Sequence, residues 1–106
     1  MWKIELLNKK VLDELNTLPK DQRAKFTWIA DLICEHGLEQ VRAPYVKPLE
    51  KGLWEIRMKG RDGISRALYV VAKPKRVVVV RVFVKKTQKT PRKEIKRALK
   101  RAEEIT

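Results

Sequence analysis

The chain is short of most of the residues that ready-made chemistry uses. It has one cysteine, Cys34, and one histidine, His36. A single thiol excludes an intrachain disulfide framework and a multi-cysteine zinc site, and one imidazole beside it leaves too few ligands for a metal centre. The glycines number only four, and no glycine-rich phosphate loop exists. There is no Ser/His/Asp grouping, no HxxxH spacing and no pair of carboxylates placed for acid/base work. No apolar run approaches the ~20 residues that span a bilayer, and no signal-peptide core follows Met1. The expectation is a soluble, cytoplasmic protein that makes no use of a membrane. Acid is scarce as well: 13 Asp+Glu face 26 Lys+Arg, a net charge of +13 at pH 7. A field of that strength favours polyanions such as nucleic acid, the ribosome, an acidic protein or an anionic surface.

What is present is enough for one domain over residues 1–106, with 43% apolar residues to build a modest core. The charge respects a boundary. Residues 1–53 hold 9 basic and 8 acidic residues, whereas residues 54–106 hold 17 basic and 5 acidic. The first half reads as scaffold and the second as the half that meets a polyanion.

Alternation of Trp2, Ile4 and Leu6 with Lys3 and Glu5 predicts a short strand over residues 2–7. Asn8 is a natural N-cap for a helix through about Thr17, with Val11, Leu12, Leu15 and Leu18 at helical spacing. Pro19 opens a second helix that carries Phe26, Ile29, Ala30 and Ile33 and stops at His36-Gly37. Residues 38–52 form a connection with two prolines, Pro44 and Pro48. The period then becomes two. Trp54, Ile56 and Met58 alternate with Glu55, Arg57 and Lys59; the turn at Gly60-Arg61-Asp62-Gly63 follows, then a strand from Ile64 to Ala72, a turn at Lys73-Pro74-Lys75 and a valine-rich strand from Val77 to Val84. Thr90 as N-cap and Pro91 as first residue open a last helix to Ile105. The fold class is therefore α+β: a small antiparallel sheet in the order β-α-α-β-β-β-α, with the first strand joining it, two N-terminal helices on one face and a basic C-terminal helix.

The meander offers a cationic and aromatic constellation. Glu55, Arg57 and Lys59 share one strand face, Arg66 lies on the next strand, and Arg81, Phe83 and Lys85 share a face of the third, with Lys86 at its end. Strands ~5 Å apart bring Arg57, Arg66 and the Arg81–Lys86 group within reach of one site. Arginine forks onto phosphate, an exposed Phe83 stacks on an unpaired base, and a lysine crowded by cations has its pKa pushed down towards useful proton exchange. Such a set cleaves RNA without metal: the 2′-hydroxyl attacks the adjacent phosphate while arginines neutralise the developing charge. The pattern equally fits a Phe83 in the core and cations on ordinary strand exteriors. On the last helix Arg92, Lys93, Lys96, Arg97, Lys100 and Arg101 fall on one arc and Ile95, Ala98, Leu99, Ala102 and Ile105 on the other. The basic arc is read as a phosphate-tracking surface.

The run Val46-Lys47-Pro48-Leu49 … Gly52-Leu53-Trp54-Glu55-Ile56-Arg57, then Ser65-Arg66-Ala67-Leu68-Tyr69, then Val82-Phe83-Val84-Lys85-Lys86-Thr87-Gln88-Lys89-Thr90-Pro91 resembles the RelE/HigB-type toxins of type II toxin–antitoxin systems, and more closely their phage-derived Gp49-like branch. The resemblance covers roughly residues 43–104. It implies a RelE/ParE-like fold and an mRNA interferase that cuts messages on translating ribosomes with no cofactor or metal. It implies a cognate antitoxin, commonly a helix-turn-helix DNA-binding protein through which alone operator DNA is reached. Carried across by position, the strand-two basic site falls on Arg57, with Lys59 following, the strand-three arginine on Arg66, and the pair after the last strand on Lys85 and Lys86. Arg66, Lys85 and Lys86 are then the catalytic candidates, and Arg57, Lys59, Arg81 and Phe83 the RNA contacts. Glu55 stands where such toxins may carry a further lysine, and the C-terminal segment holds no tyrosine or histidine. The same fold serves ParE-type toxins that inhibit gyrase, and a non-catalytic nucleic-acid-binding module is a third reading.

Overall fold

A computed structural model describes residues 1–41, 44–85 and 89–105. Its elements are β1 (Lys3–Leu6), α1 (Lys9–Asn16), α2 (Lys20–His36), a single 3₁₀ turn (Leu38–Gln40), β2 (Val46–Pro48), β3 (Trp54–Gly60), β4 (Gly63–Ala72), β5 (Arg76–Lys85) and α3 (Arg92–Ala102). They assemble as an α+β domain around a five-stranded sheet of order β1-β5-β4-β3-β2. The sheet is mixed, not wholly antiparallel: β1 runs parallel to β5, with Ile4 opposite Val77, and the remaining neighbours are antiparallel. A parallel partner needs a long crossover, and α1 to β4 supply it.

Local chemistry sets the elements. Asn8 caps α1 by accepting the Val11 N–H at 3.2 Å. Gly37, at φ 88°, ends α2 in backbone space that L side chains rarely enter. The connection over 38–52 contains the edge strand β2, which pairs Lys47 with Glu55. Three residues ending in proline are too few to show a period of two, and Pro48, lacking an N–H, blunts the outer edge against further strands.

The sheet is buried on both faces. Phe26, Ile29 and Ile33 of α2 pack with Ile56, Met58, Ala67, Tyr69, Val77, Val79 and Val82 on one side. On the other, Ile95 and Ala98 of α3 pack with Leu53, Leu68, Val78, Val80 and Phe83. A bulge makes the second set possible. Leu68 faces Arg81, but Tyr69 faces Val79, so Val80 drops out of register and the facing of β5 changes parity there. Val78 and Val80 before the bulge and Phe83 after it therefore look towards the same helix.

Tyr69 is fully buried beside Trp54, ring centroids 6.5 Å apart, and its hydroxyl finds no hydrogen-bond partner among the described residues. Burial pushes its pKa far above the ordinary value. A buried hydroxyl without a partner is a cost, about 1 kcal/mol or more. Tyr69→Phe is expected to raise the urea midpoint or leave it unchanged; a lowered midpoint would show that the hydroxyl is satisfied.

Candidate functional site

The pleat and register sort the charged residues into rows on the α3 face of the sheet. One row is Lys59 (β3), Ile64 (β4) and Lys85 (β5); the next is Arg57, Arg66 and Phe83; the next is Glu55, Leu68 and Arg81, with Lys47 of β2 beside Glu55. Four strands thus place Lys47, Glu55, Arg57, Arg66 and Lys85 in one patch.

At its base lies a buried ion pair. Arg66 Nε is 2.8 Å from Glu55 Oε1, and both side chains are 2% exposed. Thr90, at the entry to α3, donates its hydroxyl to the same Oε1 at 3.0 Å. Its side chain is therefore used to hold Glu55 and not to cap α3, which begins one residue later than its sequence suggests, with Pro91 at the N-cap. Burial lowers the Arg66 pKa, opposed by the attraction of Glu55 and reinforced by the nearby charge of Arg57. The guanidinium remains charged at any physiological pH.

Lys85 stands at the rim, half-buried. Its pKa is held below the ordinary value, first by burial and then by the positive charges of Arg66, Arg57 and Lys47, with Glu55 pulling the other way. Among the described lysines it is one whose ammonium the field of the cluster disfavours. Arg57 is half-buried opposite Arg66, and Lys59 is exposed one row towards the β3–β4 turn. Lys86 lies outside the described residues.

Two sequence candidates go elsewhere. Arg81 is not presented to a ligand: its Nε is 2.7 Å from Glu94 Oε1 on α3 and its Nη1 2.7 Å from Glu14 Oε2 on α1. Arg101 closes the network, 2.8 Å from Glu14 Oε2 and 3.0 Å from the Val80 carbonyl to which it donates. Phe83 is not a stacking platform either. It is 9% exposed, covered by α3, with the Arg81 guanidinium 5.6 Å from its ring centre. Strand alternation gave both the correct face, but the helix that lands on that face is invisible to a period-of-two argument. Arg66, too, is buried, with its charge paired to Glu55 and not laid open at the surface. Thr90 and Lys47 are the members that sequence reasoning missed, and Glu55 was placed on this face without its ion pair to Arg66. The signal for Glu55 was its place two residues before Arg57 on the same face, as the one acid there.

The Arg81 network has a clear acid signature. Burial pushes the Glu14 pKa up, but hydrogen bonds from Arg101 and the Val82 N–H and the charges of Arg81 and Arg101 outweigh it, so the net direction is down. A hydrogen bond from Arg81 lowers Glu94 against its own burial. Both folded values lie below the ordinary 4.5, so their stabilisation is complete above that pH and is lost as the pH falls through the lower folded values. The melting temperature is expected to hold from neutrality to about pH 5 and to fall below pH 4.5, as followed by circular dichroism. Arg81→Met leaves the buried Glu94 carboxylate without its partner, while Glu14 keeps Arg101 and the Val82 N–H, and is expected to cost about 3 kcal/mol in urea unfolding. A loss under ~0.5 kcal/mol would mean that the ion pairs hold nothing.

Among the described residues no helix is long and apolar enough to cross a membrane, and no three His, Cys, Asp or Glu side chains are grouped as a metal ion would need. A model of the family described as "Phage derived protein Gp49-like (DUF891)" matches residues 13–103. No curated protein matches the chain.

Proposed function

Since the chain belongs to the phage-derived Gp49-like family, a toxin-like one, we propose that it is the toxin of a type II toxin–antitoxin system and acts as an mRNA interferase, cutting messages on the translating ribosome. The observation that carries this reading is the convergence of Arg57, Lys85 and Lys47 over the buried Arg66–Glu55 pair on one sheet face.

The chemistry follows from the placement. Arg57 and Lys85 bind the scissile phosphate, with Lys59 and Lys47 holding the chain on either side. The 2′-hydroxyl oxygen attacks phosphorus, its proton leaves to a base, and the bond to the 5′ oxygen breaks as that oxygen takes up a proton. The products are a 2′,3′-cyclic phosphate and a 5′-hydroxyl, and no co-reactant is needed. Lys85, its pKa lowered, takes part in the proton transfer. Arg66 and Glu55 are positioning residues: a fixed positive charge beneath the site stabilises the extra negative charge of the pentacoordinate phosphorane. Lys86 completes the basic pair in this reading. On α3 the exposed Lys93, Lys96, Arg97 and Lys100 form the outward basic face, which meets ribosomal or message phosphates. A cognate antitoxin, of the helix-turn-helix DNA-binding kind, neutralises the activity and alone connects the protein to operator DNA.

Arg57→Ala and Lys85→Ala test this without disturbing the buried pair. Each is expected to relieve growth arrest on brief induction and to cut the yield of new mRNA 5′ ends inside codons by about 100-fold, with unchanged melting. Wild-type induction that leaves mRNA ends unchanged and raises DNA-damage signals would replace this reading with gyrase inhibition. Salt-steep RNA binding with neither toxicity nor new ends would leave only a binding module.

A further inference from the structure

A concavity lies at the entry to α3, beside the Thr90–Glu55 contact. It has a volume of about 370 Å³ and is lined by Glu50, Lys89, Thr90, Pro91, Arg92 and Ile95. Glu50 comes from the tight turn between β2 and β3, and the others from the entry and first turn of α3. The two sites share a wall. Thr90, whose hydroxyl is on Glu55, faces the pocket as well. Through Thr90 the pocket is one residue away from Glu55, the buried carboxylate of the cluster.

The lining has the composition of a base site. Pro91 and Ile95 give an apolar wall, as ligand pockets mostly have, and a few polar groups fix orientation. Glu50 is the one carboxylate, and the Arg92 guanidinium donates to its Oε1. The carboxylate is about a third exposed, so it remains open to a ligand. Arg92 and Lys89 supply positive charge for a phosphate. A carboxylate accepts hydrogen bonds only, and its two oxygens match two parallel N–H donors. Guanine presents such a pair, N1–H and N2–H, on its Watson–Crick edge. Uracil presents one N–H between two carbonyl oxygens, which a carboxylate repels. Adenine presents one donor beside an acceptor.

We propose that the Glu50–Arg92 pocket is a guanine-reading subsite next to the cleavage cluster, holding the base of a nucleotide adjacent to the scissile phosphate through Glu50 and its phosphate through Arg92 and Lys89. This rests on the nuclease reading for its purpose, but not for its test. The full chain is titrated with guanosine 5′-monophosphate and, separately, with uridine 5′-monophosphate, by calorimetry or by amide shifts. Guanosine monophosphate is expected to bind about tenfold more tightly, the scale of one well-made bidentate base contact. Glu50→Gln is expected to bring the two within about twofold, because one acceptor and one donor no longer match guanine's edge. Glu50→Asp, which keeps the carboxylate, guards against a trivial loss of folding and is expected to retain part of the preference. Equal affinity of the two nucleotides for the wild-type chain, or an unchanged ratio in Glu50→Gln, would overturn the subsite. The two readings fail separately. Guanine preference without new mRNA ends removes the nuclease and leaves a nucleotide pocket. New ends without guanine preference keep the nuclease and remove this subsite.

Discussion

The buried ion pair between Glu55 and Arg66 is the constraint around which the polar half of the molecule is arranged. Each ion loses hydration worth several kcal/mol on burial, and two charges at 2.8 Å return that only when other contacts help. Thr90 provides one such contact, from a different element. The pair thus ties β3 to β4, and through Thr90 it ties both to the entry of α3. An apolar pair of similar volume would hold the sheet at least as well. What it would not do is place a permanent positive charge beneath Lys85 and Arg57. The cost in stability makes sense as the upkeep of an electrostatic site.

The surplus of positive charge divides by residue type. Arginines do most of the internal work: Arg76 pairs with Glu5, Arg81 with Glu14 and Glu94, Arg101 with Glu14, Arg92 with Glu50 and Arg66 with Glu55. Planar guanidinium groups match carboxylates two bonds at a time and tolerate partial burial, which an ammonium does less well. Lysines such as Lys59, Lys93, Lys96 and Lys100 are left at the surface. The arginine–carboxylate pairs cancel within the net charge of +13, so the surplus is carried by the cations outside them.

Much of the fold was legible because its signals are local. The alternation around Trp54 to Lys59, the Asp62-Gly63 turn and the Asn8 cap are each written in adjacent residues. Face assignments also survived, since Arg57, Arg66 and Lys85 do share one. What was not legible depends on partners distant in the chain. The parallel pairing of β1 with β5 is set by the crossover. The strand β2 is hidden by its length and its proline. The burial of Phe83 depends on where α3 lands, and the capture of Arg81 depends on α3, whose Glu94 is 13 residues further on, and on α1, whose Glu14 pairs with it directly. Thr90 looked like a cap because threonine before proline usually is one; a buried carboxylate nearby outbid the helix for its hydroxyl.

The bulge at Leu68/Tyr69 connects these points. Without it, Phe83 would face α2 together with Val77 and Val79, and the surface under α3 would lose its largest apolar group. With it, α3 docks through Phe83, Ile95 and Ala98 and is locked by Arg81 to Glu94. That docking delivers Thr90 to Glu55, and it forms one wall of the Glu50–Arg92 pocket. Helix seating, the tuned cluster and the adjoining pocket are consequently one cooperative arrangement. Lifting α3 from the sheet would separate Thr90 from Glu55, Glu94 from Arg81 and one wall of the pocket from the other in a single step.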